Sequence, residues 1–402
     1  MYDVTSKTMR KISAKRFIAL LIVLVLVVSV LFYARPLPAL QPVSITPNIP
    51  TAEPLEIPWP AYGQAAIGSS DFAMLETHGP QTAVPIASIT KAITALAVLN
   101  KHPITPDQQG ETITLTDNDV AIYNDYLGRD GSVARVVAGE QLTQYQALQA
   151  MLLPSANNIA DTLAIWAFGS LEAYTVFANQ MLSQMGLKLS RVADASGFSP
   201  QSVSTATELV AIGEAVLSND VLAEIVKQPE ASIPVVGSIQ NVNWLLGNDG
   251  VVGIKTGNTE EAGGCYLFAA NHTVGGQTVK FIGAVLGAPT RNTAINDSRI
   301  IIKAVDSGFE VVNLARSGTI VGRYSAPWGS SAAAITSKDV SMLVWKGQKP
   351  KTTTKLDTTA ATSSGGKAVG SVSIAVGKKT ATSPVVLQHS IPGPSWQWRI
   401  FR

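Results

Sequence analysis

The sequence predicts a mixed α/β protein. An antiparallel sheet flanked by helices is preceded by one apolar helix and followed by a small β-rich region. Three observations carry this. Strand-like runs open the central region, helical periodicities fill its middle, and three strands and a helix close it. The last part of the chain changes to β-type runs such as "AVGSVSIAV" and "SPVVLQHSI". Near the start, residues 17–34, "FIALLIVLVLVVSVLFYA", carry no charge. With 402 residues, 46% of them hydrophobic and 14% charged, the chain can bury more than one core.

The apolar run comes first. Eighteen residues make about 27 Å of helix, close to a bilayer core. Lys7, Arg10, Lys11, Lys15 and Arg16 crowd its N-terminal side and only Arg35 follows, which places residues 1–16 in the cytoplasm and the body outside. The exits after Ala34 or Ala39 have Phe32 or Leu37 where a cleavage site wants a small residue, so the reading is an uncleaved signal anchor rather than a cleaved signal. Residues 35–60 hold eight prolines and read as an extended linker.

A domain over 61–315 follows. "QAAIGSSDFAMLETHG" reads as two strands around a turn, with a helix at about 88–100. Residues 142–169 are helical but broken near Pro154, and further helices fit 170–186 and 205–218. "VVGIKTG", "GGCYLFAANH" and "VKFIGAVLG" read as three strands joined by Gly-rich turns, so neighbours are antiparallel. A helix closes the region at about 291–307. Residues 316–402 form the β-rich domain, whose last run alternates Trp396, Trp398 and Ile400 with Gln397, Arg399 and Phe401, as a strand with an indole stripe in its core would.

Several function classes drop out. The basic N-terminus leaves residues 17–402 slightly acidic, which argues against a nucleic-acid-binding surface. Cys265, the one cysteine, sits in an apolar strand and reads as a small core residue. His78, His102, His272 and His389 show no metal-ligand spacing, and no Gly-rich phosphate loop is present, so neither metal nor cofactor is expected.

Three short motifs point to chemistry. Ser88-Ile89-Thr90-Lys91 opens a helix, where positions three apart share a face. Ser88 stands where free backbone N–H groups can meet a developing oxyanion, and the positive helix end favours a neutral Lys91. Ser155-Ala156-Asn157 follows Pro154, and Lys255-Thr256-Gly257 ends a strand. Each has a plain alternative: an N-cap and a solvated lysine, polar caps, a strand end and turn. A second S-x-x-K, Ser364 to Lys367, lies in a Gly-rich polar stretch with no helix to present it. The three motifs in this order occur together in class A β-lactamases and penicillin-binding proteins.

With "PIASITKAITAL", "LLPSANNIADTLA", "STATELVAIG" and "GIKTGNTEEAGGCYLFAA", the chain resembles the serine-type D-Ala-D-Ala carboxypeptidases, the low-molecular-mass penicillin-binding proteins, over about 61–315. The likeness continues more weakly into 316–402. Asn158 departs from the Asp common there and reads as structural. Some members end in an amphipathic membrane helix; this chain stops at "WQWRIFR".

What the motifs and the resemblance imply is an acyl-enzyme hydrolysis of peptidoglycan stem peptides ending in D-Ala-D-Ala, blocked by β-lactams. Ser88 is the nucleophile and Lys91 its base, with the nearby Lys255 helping to depress the ammonium of Lys91. Ser155 relays a proton to the leaving amine, and Asn157 holds Lys91 and the substrate amide. By resemblance, Lys255 and Thr256 take the substrate carboxylate. Gly257 lets the substrate backbone lie close to the strand. The N–H groups of Ser88 and Asn258 form the oxyanion hole, worth about 3–4 kcal/mol per donor in studied cases. A β-lactamase needs an acid for deacylation, and no Glu-x-x-Leu-Asn segment lies between Ser155 and Lys255. A β-lactam sensor would need more than sixteen cytoplasmic residues. Carboxypeptidase, endopeptidase and transpeptidase activities share these residues.

Overall fold

The computed structural model describes residues 14–49, 51 and 53–402; most of the expected cytoplasmic segment, residues 1–13, lies outside them. The central sheet has five strands in the order Val251–Thr259, Gly263–Val274, Gln277–Ala288, Gln64–Ser69, Met74–His78, with every neighbouring pair antiparallel. Alternation along one strand shows why it sits between two layers. Cys265, Leu267 and Ala269 face one core, while Tyr266, Phe268 and Ala270 face another.

The first core is helical. It holds α2 (Thr90–Lys101), α4 (Gln144–Leu152), α5 (Asn157–Phe168), α6 (Leu171–Gln184), α7 (Ala206–Ser218) and α8 (Asp220–Val226) against the sheet. The second core packs Ile295, Ile301, Ile302 and Val305 of α9 (Arg291–Asp306) on the opposite face, joined by Phe309, Leu343 and Trp345. The helix α3 (Asp117–Gly128) was not expected from its mixed polar sequence. It starts at a capping box in which Asp119 Oδ2 accepts from the Thr116 N–H at 2.7 Å and the Thr116 side chain meets the Asp119 backbone.

The C-terminal region is β-rich. Its six-stranded sheet runs Pro42–Ser44, Ile320–Ser325, Ser331–Thr336, Lys379–Leu387, Ala368–Val376, Lys351–Leu356. The outermost strand comes from the proline-rich segment. That segment is extended, but it is paired rather than free: Val43 lies opposite Arg323, and Leu40 bridges Thr359. The strand Phe309–Ala315 pairs with Val340–Trp345, so β structure begins before residue 316. Trp345 Nε1 donates to Glu76 Oε1 at 3.0 Å, tying this region to the central sheet.

Two terminal helices meet. The apolar helix α1 (Ala14–Ala34) covers the expected span, is about 30 Å long, and buries none of its residues. The final run is a helix, α10 (Trp396–Phe401), not the strand expected from its alternation. Ser395 caps it by accepting from the Trp398 N–H at 3.2 Å. Arg399 then donates to the Tyr33 carbonyl at 2.9 Å and Arg402 to the Arg35 carbonyl at 2.7 Å. Trp398 packs edge-on against Trp328, whereas Trp396 is exposed, so the indoles do not form a core stripe. The cap and these two side-chain anchors hold the short helix in place.

Ser395→Ala removes the cap, typically worth about 1 kcal/mol. Amide hydrogens of residues 396–401 should then exchange several-fold faster, with those of the central sheet unchanged; native-state hydrogen exchange measures both.

Candidate active site

Ser88 is half-buried in a 3₁₀ turn, Ala87–Ile89, that runs directly into α2. Ala87 has φ of 46°, a left-handed conformation that a non-glycine residue adopts only when its surroundings impose it. Here the surroundings are two glycines. A Cβ on Gly257 would lie 2.9 Å from the Ile86 carbonyl oxygen and 3.1 Å from the Ser88 nitrogen. A Cβ on Gly197 would lie 1.8 Å from the Ala87 carbonyl oxygen. The turn carrying Ser88 is thus gripped between the strand Val251–Thr259 and the loop around Gly197. Close approach explains Gly257, but what approaches in the structure is this turn.

Lys91, in the first turn of α2, is fully buried. Its Nζ donates to Ser88 Oγ at 2.8 Å, Asn157 Oδ1 at 2.7 Å and the Ser196 carbonyl at 2.8 Å, all neutral oxygens. Burial pulls the ammonium down to about 7, against the opposing charges of Asp194 and Asp161. An amine that is largely neutral above pH 7 and hydrogen-bonded to a hydroxyl can take its proton.

Asn157 is the first residue of α5, and its backbone N–H donates to the Ser132 carbonyl at 2.7 Å. Asn158 makes a two-point clamp on Ala134, accepting from its N–H at 3.0 Å and donating to its carbonyl at 2.9 Å. Ser155 is buried with φ of 69°, and its Oγ accepts from Lys255 Nζ at 3.0 Å. Lys255 Nζ also donates to the Thr256 carbonyl at 3.1 Å. Its ammonium is held well below its ordinary range by burial, then by Lys91 and Arg291. The site therefore contains two serine–lysine pairs, Ser88 with Lys91 and Ser155 with Lys255.

Ser88, Asn157 and Asn258 open on one cleft of about 410 Å³, rimmed by Arg129, Phe198 and Glu261. Asn258 is exposed at the strand end, and its side chain accepts from the Arg291 N–H at 3.2 Å. Thr256 is buried between Lys255 and Gly257. The second S-x-x-K is not assembled: Lys367 Nζ points to Thr359 at 3.1 Å and Ser363 at 3.4 Å. Sequence reading missed Ser196, which holds Lys91 through its carbonyl, and Tyr126, Asp161 and Asp194 behind Lys91. The polar turn "DASGFSP" was the available signal, but a backbone acceptor leaves no residue-type signature.

The model of the D-alanyl-D-alanine carboxypeptidase family of peptidases matches residues 69–290. A D-alanyl-D-alanine carboxypeptidase of Streptomyces sp. K15 is 30% identical over 246 residues, covering 57% of this chain and 81% of that protein. A D-alanyl-D-alanine endopeptidase of Pseudomonas aeruginosa is 28% identical over 216 residues, 52% of this chain and 66% of that one. A D-alanyl-D-alanine carboxypeptidase of Escherichia coli K12 is 26% identical over 269 residues, 65% of each. The chain thus spans about two thirds of the length of the last two. In fold, it is similar to penicillin binding protein 5 of Haemophilus influenzae (TM-score 0.57, 20% identity, 87% of this chain and 100% of that one). It is also similar to the Streptomyces K15 DD-transpeptidase (TM-score 0.54, 23% identity, 65% and 98%). With its family model matched over more than half its length, this chain belongs to the D-alanyl-D-alanine carboxypeptidase family.

Proposed function

We propose that this chain is a serine-type D-Ala-D-Ala carboxypeptidase acting on peptidoglycan stem peptides through an acyl-enzyme on Ser88, and that β-lactams acylate the same hydroxyl. The observation that carries this reading is the hydrogen bond of a fully buried Lys91 to Ser88 Oγ at 2.8 Å, at the floor of an open cleft. Lys91 takes the Ser88 proton as Oγ attacks the carbonyl of the penultimate D-Ala. The N–H groups of Ser88 and Asn258 stabilise the oxyanion. Ser155 passes a proton to the departing amine, and water then releases the acyl group from Ser88. Lys255 and Thr256 receive the free carboxylate of the terminal D-Ala. That carboxylate opposes the burial and the neighbouring cations that lower the Lys255 ammonium, so a substrate carrying it favours the charged lysine.

In the same reading, α1 anchors the protein in the cytoplasmic membrane, with the body on the outer side. Its length, its apolar composition and the lack of any buried residue in it support this. Retention of residues 17–34 in the mature protein, read by N-terminal sequencing of the membrane fraction, supports the anchor; a start at Pro36 or Leu40 would show a cleaved signal.

Ser88→Ala should abolish covalent labelling by a fluorescent penicillin while leaving the melting temperature within a few degrees of wild type. Labelling that persists would exclude Ser88 as the nucleophile. Digestion of purified peptidoglycan separates the activities: free D-Ala marks a carboxypeptidase, cleaved cross-links an endopeptidase.

The acylation rate should rise with pH through a midpoint near 7. Lys91 has its folded value lowered by burial, so the reactive neutral form is present above that midpoint and lost below it. Lys91→Ala should slow every substrate. Lys255→Ala removes a charge-assisted contact worth about 1.5–3 kcal/mol. It should slow a substrate with a free terminal carboxylate by roughly ten-fold or more, but leave the matched amide little changed. Equal slowing of both members of the pair would place Lys255 in proton transfer instead.

A further inference from the structure

Asn157 and Asp161 stand one turn apart on α5 and share a face, and Asn157 shows that this face looks toward Lys91. Asp161 is buried, 7% exposed. Its Oδ2 accepts from the Tyr126 hydroxyl at 2.9 Å, while its buried Oδ1 has no hydrogen-bond partner among the described residues. The Tyr126 hydroxyl also meets Ser196 Oγ at 3.2 Å, and Ser196 supplies the carbonyl that holds Lys91. A continuous chain of contacts therefore links Asp161 to the lysine without a direct ion pair.

The groups facing this pocket come from three elements besides α5. Lys91 comes from α2, Tyr126 and Arg129 from α3 and its end, and Asp194 from the loop before α7, with Lys255 beyond Lys91. The two carboxylates differ. Asp194 accepts from Ser196 Oγ, Ser202 Oγ and the Phe198 and Ser199 N–H groups, so it is committed to holding its loop. Asp161 is half-satisfied. Burial favours the neutral form of a carboxyl with one unpaired oxygen, as it does that of an amine surrounded only by neutral acceptors.

We propose that Asp161 is a positioning residue for the acylation base: coupled to Lys91 through Tyr126 and Ser196, its charge sets the pH at which the amine becomes free to accept the Ser88 proton. This rests on the reading of Ser88 and Lys91 given above. When Lys91 takes the Ser88 proton, an ionised Asp161 offsets the new ammonium; when Lys91 gives the proton up toward the leaving amine, the pocket returns to its starting charge. Burial pushes the Asp161 carboxyl up to about 7, opposed by the Tyr126 hydroxyl, helped by Asp194, and opposed again by Lys91 and Arg129. Lys91 and Asp161 each favour the charged form of the other, so the charge of one bears on the titration of the other.

The test is the acylation rate of the full-length protein in detergent by a labelled penicillin, from pH 5 to 9. Asp161→Asn keeps the shape but removes the charge that favours the ammonium. The midpoint of the rise with pH should move down by about one unit, with complete labelling at the end point. Tyr126→Phe takes a donor from Asp161, favours its neutral form, and should move the midpoint the same way by less. An unmoved midpoint, with the rate lowered by the same factor at every pH, would make Asp161 a packing residue and overturn the proposal. If Asp161→Asn fails to fold, Tyr126→Phe decides alone. A wild-type protein that is not labelled at all would instead overturn the reading of Ser88, and this proposal with it.

Discussion

The site depends on one buried ammonium. Lys91 is fully buried, and its three partners are a hydroxyl, an amide oxygen and a backbone carbonyl. A charge in such a place is costly, and the fall of its proton affinity to about 7 represents on the order of 5 kcal/mol of lost preference for the charged form. That loss is what would let Lys91 serve as the proposed base near neutral pH. Each of the three partners comes from a different piece of chain, so the base exists only when α2, α5 and the loop at Ser196 are assembled.

Much of the fold serves that assembly. The central sheet buries both faces under helices, which fixes the strand of Lys255 relative to α2 and α5. Two glycines let backbone meet backbone around Ser88, and two non-glycine residues, Ala87 and Ser155, are held in left-handed conformations next to the two lysines. Such residues cost on the order of 1–3 kcal/mol each and persist where the surrounding packing determines them. Each serine hydroxyl is matched to one lysine, 2.8 Å at Ser88 and 3.0 Å at Ser155. The C-terminal β region and the paired segment at Pro42–Ser44 lie outside this machinery and join the central region through contacts such as Trp345 with Glu76.

The sequence made the long, strongly patterned elements legible. The strands around Lys255 and Cys265 and the helices α2, α4, α5, α6, α7 and α9 follow periodicity and punctuation, and Ser88, Asn157 and Asn258 line one cleft, with Lys91 buried against Ser88 and Asn157. What escaped had physical reasons. The α3 stretch alternates acids with apolar residues too irregularly to show an amphipathic stripe, although its capping box was readable. The run at Trp396 alternates like a strand but is capped by Ser395 and anchored by Arg399 on α1 and by Arg402 on Arg35 just beyond it, which no local pattern encodes. Ser196 acts through its carbonyl, and Asp161 is brought behind Lys91 by the packing of α5 on α2; both depend on tertiary proximity.

The most direct measurement is the titration of the Lys91 amine itself, by nitrogen-detected magnetic resonance of protein carrying labelled lysine, with the signal assigned by its loss in Lys91→Ala. The account requires a titration near pH 7 in the free protein, far below that of the exposed lysines. A Lys91 amine that stays protonated up to about pH 10, as in a solvated lysine, would contradict it, because the group proposed as the base would then carry its proton throughout the working range.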